Sequence, residues 1–185
     1  YCRKKPVIIL KGGLTAESAV AAKSHTGSLA GNIEVYSAMC KQCRLIKANN
    51  AGELFDFARA FSMLPKPKGR RVQIITDGGG YVVIAADNVI LQGLQLAKMS
   101  KQSIEKIKKV VPSYVVLGNP MDLIGDVNNE RYRLSVEQAL ADSNVDMVIV
   151  IILYQVPSLT SDIVTTIAEL NKNFSKPMVA VSLGG

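Results

Sequence analysis

An α/β fold built on parallel sheet is what this sequence predicts, and three observations carry the prediction. Val- and Ile-rich runs at residues 7–10, 72–75 and 145–153 lack the regular polar alternation of half-exposed strands, so they read as strands covered on both faces. Stretches of helical length separate the strands, in the strand–helix–strand order that calls for parallel pairing. Glycine-rich turns follow two of them, Lys11-Gly12-Gly13 and Thr76-Asp77-Gly78-Gly79-Gly80. Those turns stand at the carboxyl ends of strands, where open α/β sheets bind ligands.

Taken in order, the basic segment before Pro6 fits the exit of a helix, since the residue before proline is steered out of helical conformation. After the strand at 7–10, Thr15 caps an alanine-rich helix through Lys23. Residues 24–31 read as a loop. Asn32 then caps a helix to about Cys43, with Ile33, Val35 and Met39 inward, and residues 44–47 form a short strand. Leu54, Phe57, Ala58 and Phe61 recur at helical spacing, so 51–64 is an amphipathic helix. With so few strands, residues 1–64 read as the second half of a domain. Residues 65–71, with two prolines, a glycine and four cations, form a stiff solvated linker.

A second module occupies 72–185. Its expected elements are a strand at 72–75, a helix at 81–91, a strand at 94–98 and a helix capped by Ser100 with Ile104, Ile107 and Val111 on one face. A loop at 117–126 follows, then a helix capped by Asn129, the strand at 145–153, a helix at 158–173 and a last strand at 177–183. Such alternation fits flavodoxin-like modules.

With 48% hydrophobic and 20% charged residues, the composition is that of a soluble globular protein. No apolar run reaches the ~20 residues that span a bilayer, and no membrane partner is expected. No targeting segment is visible, and the opening at Tyr1 suggests a piece of a longer protein. The net charge of +7 suits an anionic partner such as the phosphates of a nucleotide or of CoA. Nucleic acid is not expected, because the cations are dispersed and aromatics are only 5% of residues. Three cysteines make no disulfide framework, which points to the cytoplasm.

Three motifs bear on chemistry. Ser24-His25-Thr26-Gly27-Ser28-Leu29-Ala30-Gly31 holds the sole histidine, among small residues where a backbone can approach a phosphate closely. Imidazole titrates near neutrality and attacks as a neutral nucleophile; a lone histidine in a loop can equally be structural. The Thr76–Gly80 turn precedes a helix, whose first N–H groups favour phosphate, although glycine there can also serve packing. It lacks the G-x-G-x-x-G spacing, and the chain has no Walker A sequence. Cys40-Lys41-Gln42-Cys43 has metal or redox spacing but closes a helix rather than opening one. Zinc would need further ligands, with only Cys2 and His25 left as Cys/His candidates, so two buried thiols and no metal are expected.

These motifs resemble, in matching order, those of NDP-forming acyl-CoA synthetases, relatives of succinyl-CoA synthetase. The resemblance rests on Lys5-Pro-Val-Ile, Ser24-His-Thr-Gly27, the Gly78-Gly79-Gly80 turn, Gly118-Asn-Pro-Met-Asp-Leu123 and Gly184-Gly185. Asp77 stands where the family carries Asn, adding a negative charge beside the turn, and Met121 stands for Val. The likeness implies the latter part of the α-subunit region: half of the phosphohistidine-bearing domain, then most of the next ligase domain.

It also implies that His25 is phosphorylated during turnover, with Gly27, Ser28, Gly78, Gly79, Gly80, Gly184 and Gly185 as phosphate-binding candidates. Asp122 is expected to fix loop hydrogen bonds rather than react. CoA, ADP or ATP and phosphate would be substrates, with no tightly bound cofactor, and Mg would accompany the nucleotide in a domain absent from this sequence. Implied partners are a CoA-binding Rossmann domain, an ATP-grasp domain or subunit, a small-molecule acid and other copies in an oligomer. The alternative is a non-catalytic, CoA-sensing regulatory module of an acetyltransferase fusion; the intact histidine motif argues against it.

Overall fold

The computed structural model describes residues 4–26 and 31–184, in two compact units, Tyr1–Leu64 and Pro65–Gly185. The first contains β1 (Ile8–Leu10), α1 (Ala16–Thr26), α2 (Ile33–Cys43), β2 (Ile46–Ala48) and α3 (Ala51–Met63). β1 and β2 pair in parallel, with Ile8 opposite Ile46 and Leu10 opposite Ala48.

Side-chain caps set these helix boundaries. Thr15 and Ser18 cap α1 reciprocally: Ser18 N donates to Thr15 Oγ1 at 3.2 Å and Thr15 N to Ser18 Oγ at 3.0 Å. Asn32 Oδ1 accepts from Glu34 N and Val35 N at the start of α2, and Asn50 Oδ1 accepts from Glu53 N at the start of α3. Two expectations fail here. α1 does not stop at Lys23: the alanine-rich helix runs on through Ser24, His25 and Thr26, with Ser24 Oγ bonded back to Ala21 O at 2.8 Å. In α2 the buried side chains are Tyr36 and Cys40, while Ile33, Val35 and Met39 are exposed. The inward stripe is the i, i+4 pair, with Lys11 Nζ 5.8 Å from the Tyr36 ring centroid.

The second unit contains β3 (Arg71–Thr76), α4 (Gly79–Leu91), β4 (Gln95–Leu96), α5 (Lys101–Ile107), β5 (Met121–Asp122), α6 (Asn129–Ala141), β6 (Met147–Leu153), α7 (Asp162–Asn173) and β7 (Met178–Leu183). All pairings are parallel, in the order β4–β3–β6–β7, with β5 also paired to β3 beyond β4. The apolar side chains of β6 explain its unbroken hydrophobic run. Val148, Val150 and Ile152 face a core with Ile107, Tyr132, Val136, Ile163 and Ile167 of α5–α7, whereas Ile149, Ile151 and Leu153 pack with Val89 of α4. The α/β, parallel-sheet fold is therefore as the sequence predicts.

The expected loop at 117–126 contains a short strand, β5, which its turn-rich sequence does not signal. β4 ends after two residues, and the Asn119 side chain takes its place on β3: Nδ2 donates to Ala97 O at 3.0 Å and to Val72 O, and Oδ1 accepts from Ile74 N at 3.1 Å. The chain then rejoins β3 at Met121. Asn128, not Asn129, caps α6 by accepting from Arg131 N, because the Asn129 side chain is engaged with Thr160. Those Thr160 contacts and the Ser158 Oγ–Val127 O bond hold 158–160 outside the helix, so α7 starts at Asp162 rather than Ser158. α5 ends at Ile107, leaving Val111 beyond it.

At the opposite end of the sheet, β3 starts at Arg71, and the Asp146 carboxylate accepts from Arg71 N, Nε and Nη2, each at 2.9 Å. Those hydrogen bonds, against the cost of burial, hold the Asp146 carboxyl at about 2. A depressed carboxyl stabilises the fold above its unfolded value and loses that contribution as pH falls through the folded one, here between about pH 4 and 2. The lowering corresponds to about 2 kcal/mol, which the 39% exposure of the Arg71 side chain reduces to about 1 kcal/mol. Asp146→Asn is thus expected to lower the unfolding free energy by that amount near neutral pH. In urea titrations the gap should close as pH falls through this window.

Candidate functional site

Because every strand of the second unit is parallel, the segments leaving β3, β5, β6 and β7 all emerge at one end of the sheet. Strand order reverses between β3 and β6, whose connections run to opposite faces, and a crevice opens at such a switch point. The Thr76–Gly80 turn stands there. The structure thus brings Gly78, Gly79, Gly80 and Gly184 to one end of the sheet, together with Asp77, Asp122 and Leu153.

The three turn glycines differ in what their missing side chains permit. A Cβ on Gly78 would lie 2.8 Å from Leu153 Cδ1, so this glycine serves packing. A Cβ on Gly79 would reach only ordinary contact, 3.4 Å from Asp122 Oδ2, and one on Gly80 meets nothing. Gly78 N donates to Thr76 Oγ1 at 3.1 Å, and Tyr81 N to Gly78 O. No side chain caps α4, and among the described residues neither Gly79 N–H nor Gly80 N–H has a partner. Two donors at the positive end of a 13-residue helix are therefore open to an anion. Gly78→Ala should lower stability by about 1–2 kcal/mol through overpacking. Gly80→Ala should leave it unchanged or raise it by up to about 1 kcal/mol, and urea titration of the two variants checks the contrast.

Asp77, whose charge the sequence sets beside this turn, points back into the sheet. It is 5% exposed, and its Oδ1 and Oδ2 accept from Leu153 N at 3.0 and 3.3 Å. Burial pushes its carboxyl above the ordinary range, opposed by the hydrogen bond from Leu153 N, and the Asp122 charge raises it further. Tyr132, fully buried in α6, donates its hydroxyl proton to Ile151 O at 2.7 Å; burial first, then the Asp77 charge, raises its phenol far above the usual range. Asp122 Oδ1 accepts from Ile124 N at 2.9 Å, the loop-fixing bond expected of it. Neither Tyr132 nor Leu153 is marked by a local motif; a tyrosine on the buried face of a helix is the one signal the sequence offers for this part of the site.

Gly184 follows β7 with φ at 79°, a conformation that favours glycine, and a Cβ there would push the exposed Gln155 side chain aside. His25 belongs to the last turn of α1, in the other unit; its side chain, like Gly27, Ser28 and Gly185, lies outside the described residues. Of the thiols, Cys40 is buried as expected but Cys43 is exposed. Among the described residues, no three His, Cys, Asp or Glu side chains are placed to hold a metal ion, and no helix is long and apolar enough to cross a membrane.

The model of the Succinyl-CoA ligase like flavodoxin domain matches residues 1–61, and that of the Ligase-CoA domain matches residues 72–185, more than half of the chain. The chain belongs to the NDP-forming acyl-CoA synthetase family. Among its relatives, the Pyrococcus furiosus acetate–CoA ligase (ADP-forming) II subunit alpha is 37% identical over 99% of this chain and 41% of that protein. The Nitrosopumilus maritimus 4-hydroxybutyrate–CoA ligase (ADP-forming) is 33% identical over 98% of this chain and 26% of that protein. In structure, the chain is similar to the dinucleotide forming acetyl-coenzyme A synthetase 1 of Ca. Korarchaeum cryptofilum in complex with phosphate and ADP. The TM-score is 0.85 at 34% identity, over 98% of this chain and 39% of that one. The chain therefore spans about two fifths or less of the length of these synthetases.

Proposed function

We propose that this chain is part of an ADP-forming acyl-CoA synthetase that interconverts acyl-CoA, ADP and phosphate with free acid, CoA and ATP. The observation that carries the reading is the Thr76–Gly80 turn. It sits at the switch point of a parallel sheet, and among the described residues the Gly79 and Gly80 N–H groups have no partner, in a chain of this synthetase family.

In the acyl-CoA-consuming direction, a phosphate oxygen attacks the thioester carbonyl and the CoA thiolate leaves, giving an acyl phosphate. A neutral nitrogen of His25 then attacks phosphorus, and the P–O bond breaks to release the carboxylate. The resulting phosphoramidate is high enough in energy to pass its phosphoryl group to a terminal oxygen of ADP, which yields ATP and restores the imidazole. Transfer of this kind is governed by positioning and by N–H donors aimed at the equatorial oxygens. Gly79 and Gly80 supply such donors to a phosphate group, with Gly184 at the same end of the sheet; Gly27, Ser28 and Gly185 are the further candidates.

The CoA-binding Rossmann domain, the ATP-grasp domain with its Mg-nucleotide, an oligomeric assembly and a cytoplasmic setting belong to the same proposal. The regulatory alternative gains nothing from the relatives named above, which are CoA ligases by name. The test is a phosphoprotein assay on the complete enzyme, incubated with acyl-CoA and labelled phosphate or with labelled ATP. An acid-labile, base-stable label is expected, as an N–P bond requires; turnover without it would overturn the phosphohistidine route.

A further inference from the structure

The phosphate reading leaves the buried Asp77 carboxylate unused, although it immediately precedes the two glycines of interest. The bond it makes is not an ordinary strand contact. β3 pairs with β6 only as far as Thr76 opposite Ile151. Two residues further along β6, Leu153 N would lack an acceptor from β3, and the Asp77 side chain supplies it. The Tyr132 hydroxyl gives its proton to Ile151 O, the backbone carbonyl two residues before Leu153. Asp77 is thereby held from β6, at Leu153 N, while its own backbone leads into Gly78. Gly78 packs so closely against Leu153 that a Cβ there would lie 2.8 and 2.9 Å from its two methyl groups and displace that side chain. The start of α4 is thus fixed to one residue, Leu153, by a hydrogen bond and by a packing contact.

We propose that Asp77 is the positioning residue of the glycine turn: by accepting the Leu153 N–H it sets the Gly79 and Gly80 N–H groups for phosphate. This rests on the reading of that turn as a phosphate site. Asp77 acts through the turn and touches no substrate. The acceptor oxygen matters rather than the charge, because the carboxylate is directed into the sheet and away from the open N–H groups. An amide at this position would keep the acceptor and drop the charge.

The experiment compares Asp77→Asn and Asp77→Ala in the complete enzyme, with inorganic phosphate as the probe. Phosphate KM, acyl-CoA KM, kcat and melting temperature are measured for each. Asp77→Ala should raise phosphate KM or slow phosphoprotein formation about tenfold or more, the size expected when one oriented donor is partly misplaced. Acyl-CoA KM should stay within about twofold. Asp77→Asn should stay close to wild type in all of these. A lowered melting temperature with unchanged phosphate kinetics in Asp77→Ala would overturn the proposal, as would an Asp77→Asn enzyme as impaired as Asp77→Ala. If the alanine variant is too unstable to assay, Asp77→Leu, which removes the acceptor but fills the buried space, replaces it under the same criteria. Gly79→Val separates this proposal from the reading beneath it: normal phosphate kinetics there would remove the phosphate site itself. Impaired kinetics there with a normal Asp77→Ala enzyme would remove only the role of Asp77.

Discussion

Replacing His25 by alanine is expected to abolish the phosphoprotein and to lower turnover by about 10³-fold or more, the scale seen when a covalent nucleophile is lost. The fold should survive. His25 is the penultimate residue of α1, and alanine is the better helix former, so the substitution removes an imidazole without weakening the helix. Label retention by His25→Ala protein, measured after partial digestion at alkaline pH, would assign the phosphoryl group elsewhere. Circular dichroism and melting temperature unchanged from wild type would show that any loss is chemical.

The second large effect is expected at Gly79. Its N–H is open, and a Cβ there would make only ordinary contact with Asp122 Oδ2, so Gly79→Val should fold with little cost. Its branched side chain would, however, stand over the start of α4 and keep a phosphate oxygen from the Gly79 and Gly80 donors. Losing one oriented donor in a comparable site costs about 10²–10³ in rate, or roughly 3–4 kcal/mol. Phosphoprotein formation should slow by that factor, with the melting temperature shifted by only a few degrees. If Gly79→Val instead lowers the melting temperature and phosphorylates normally while folded, the turn is a packing device. Gly78 is the control, since there the missing side chain makes room for Leu153.

Local patterns in the sequence were enough to determine the parallel α/β class, the run of β6, the caps at Thr15, Asn32 and Ser100, and the histidine and glycine motifs that mark the family. Each of these is settled by neighbours within a turn or two: a capping oxygen reaches N–H groups two or three residues on, and strand periodicity is read over a handful of positions. What only the tertiary structure decided is how side chains are used across the sheet. Asp77 meets Leu153 across 76 positions of sequence, Asn119 replaces a strand residue on β3 across 47, and Asn129 leaves its capping role for Thr160 across 31. By sequence alone, Asp77 is a negative charge set beside a phosphate site. In the fold, burial and an unpaired N–H at the end of β6 turn that charge inward and leave the Gly79 and Gly80 donors open.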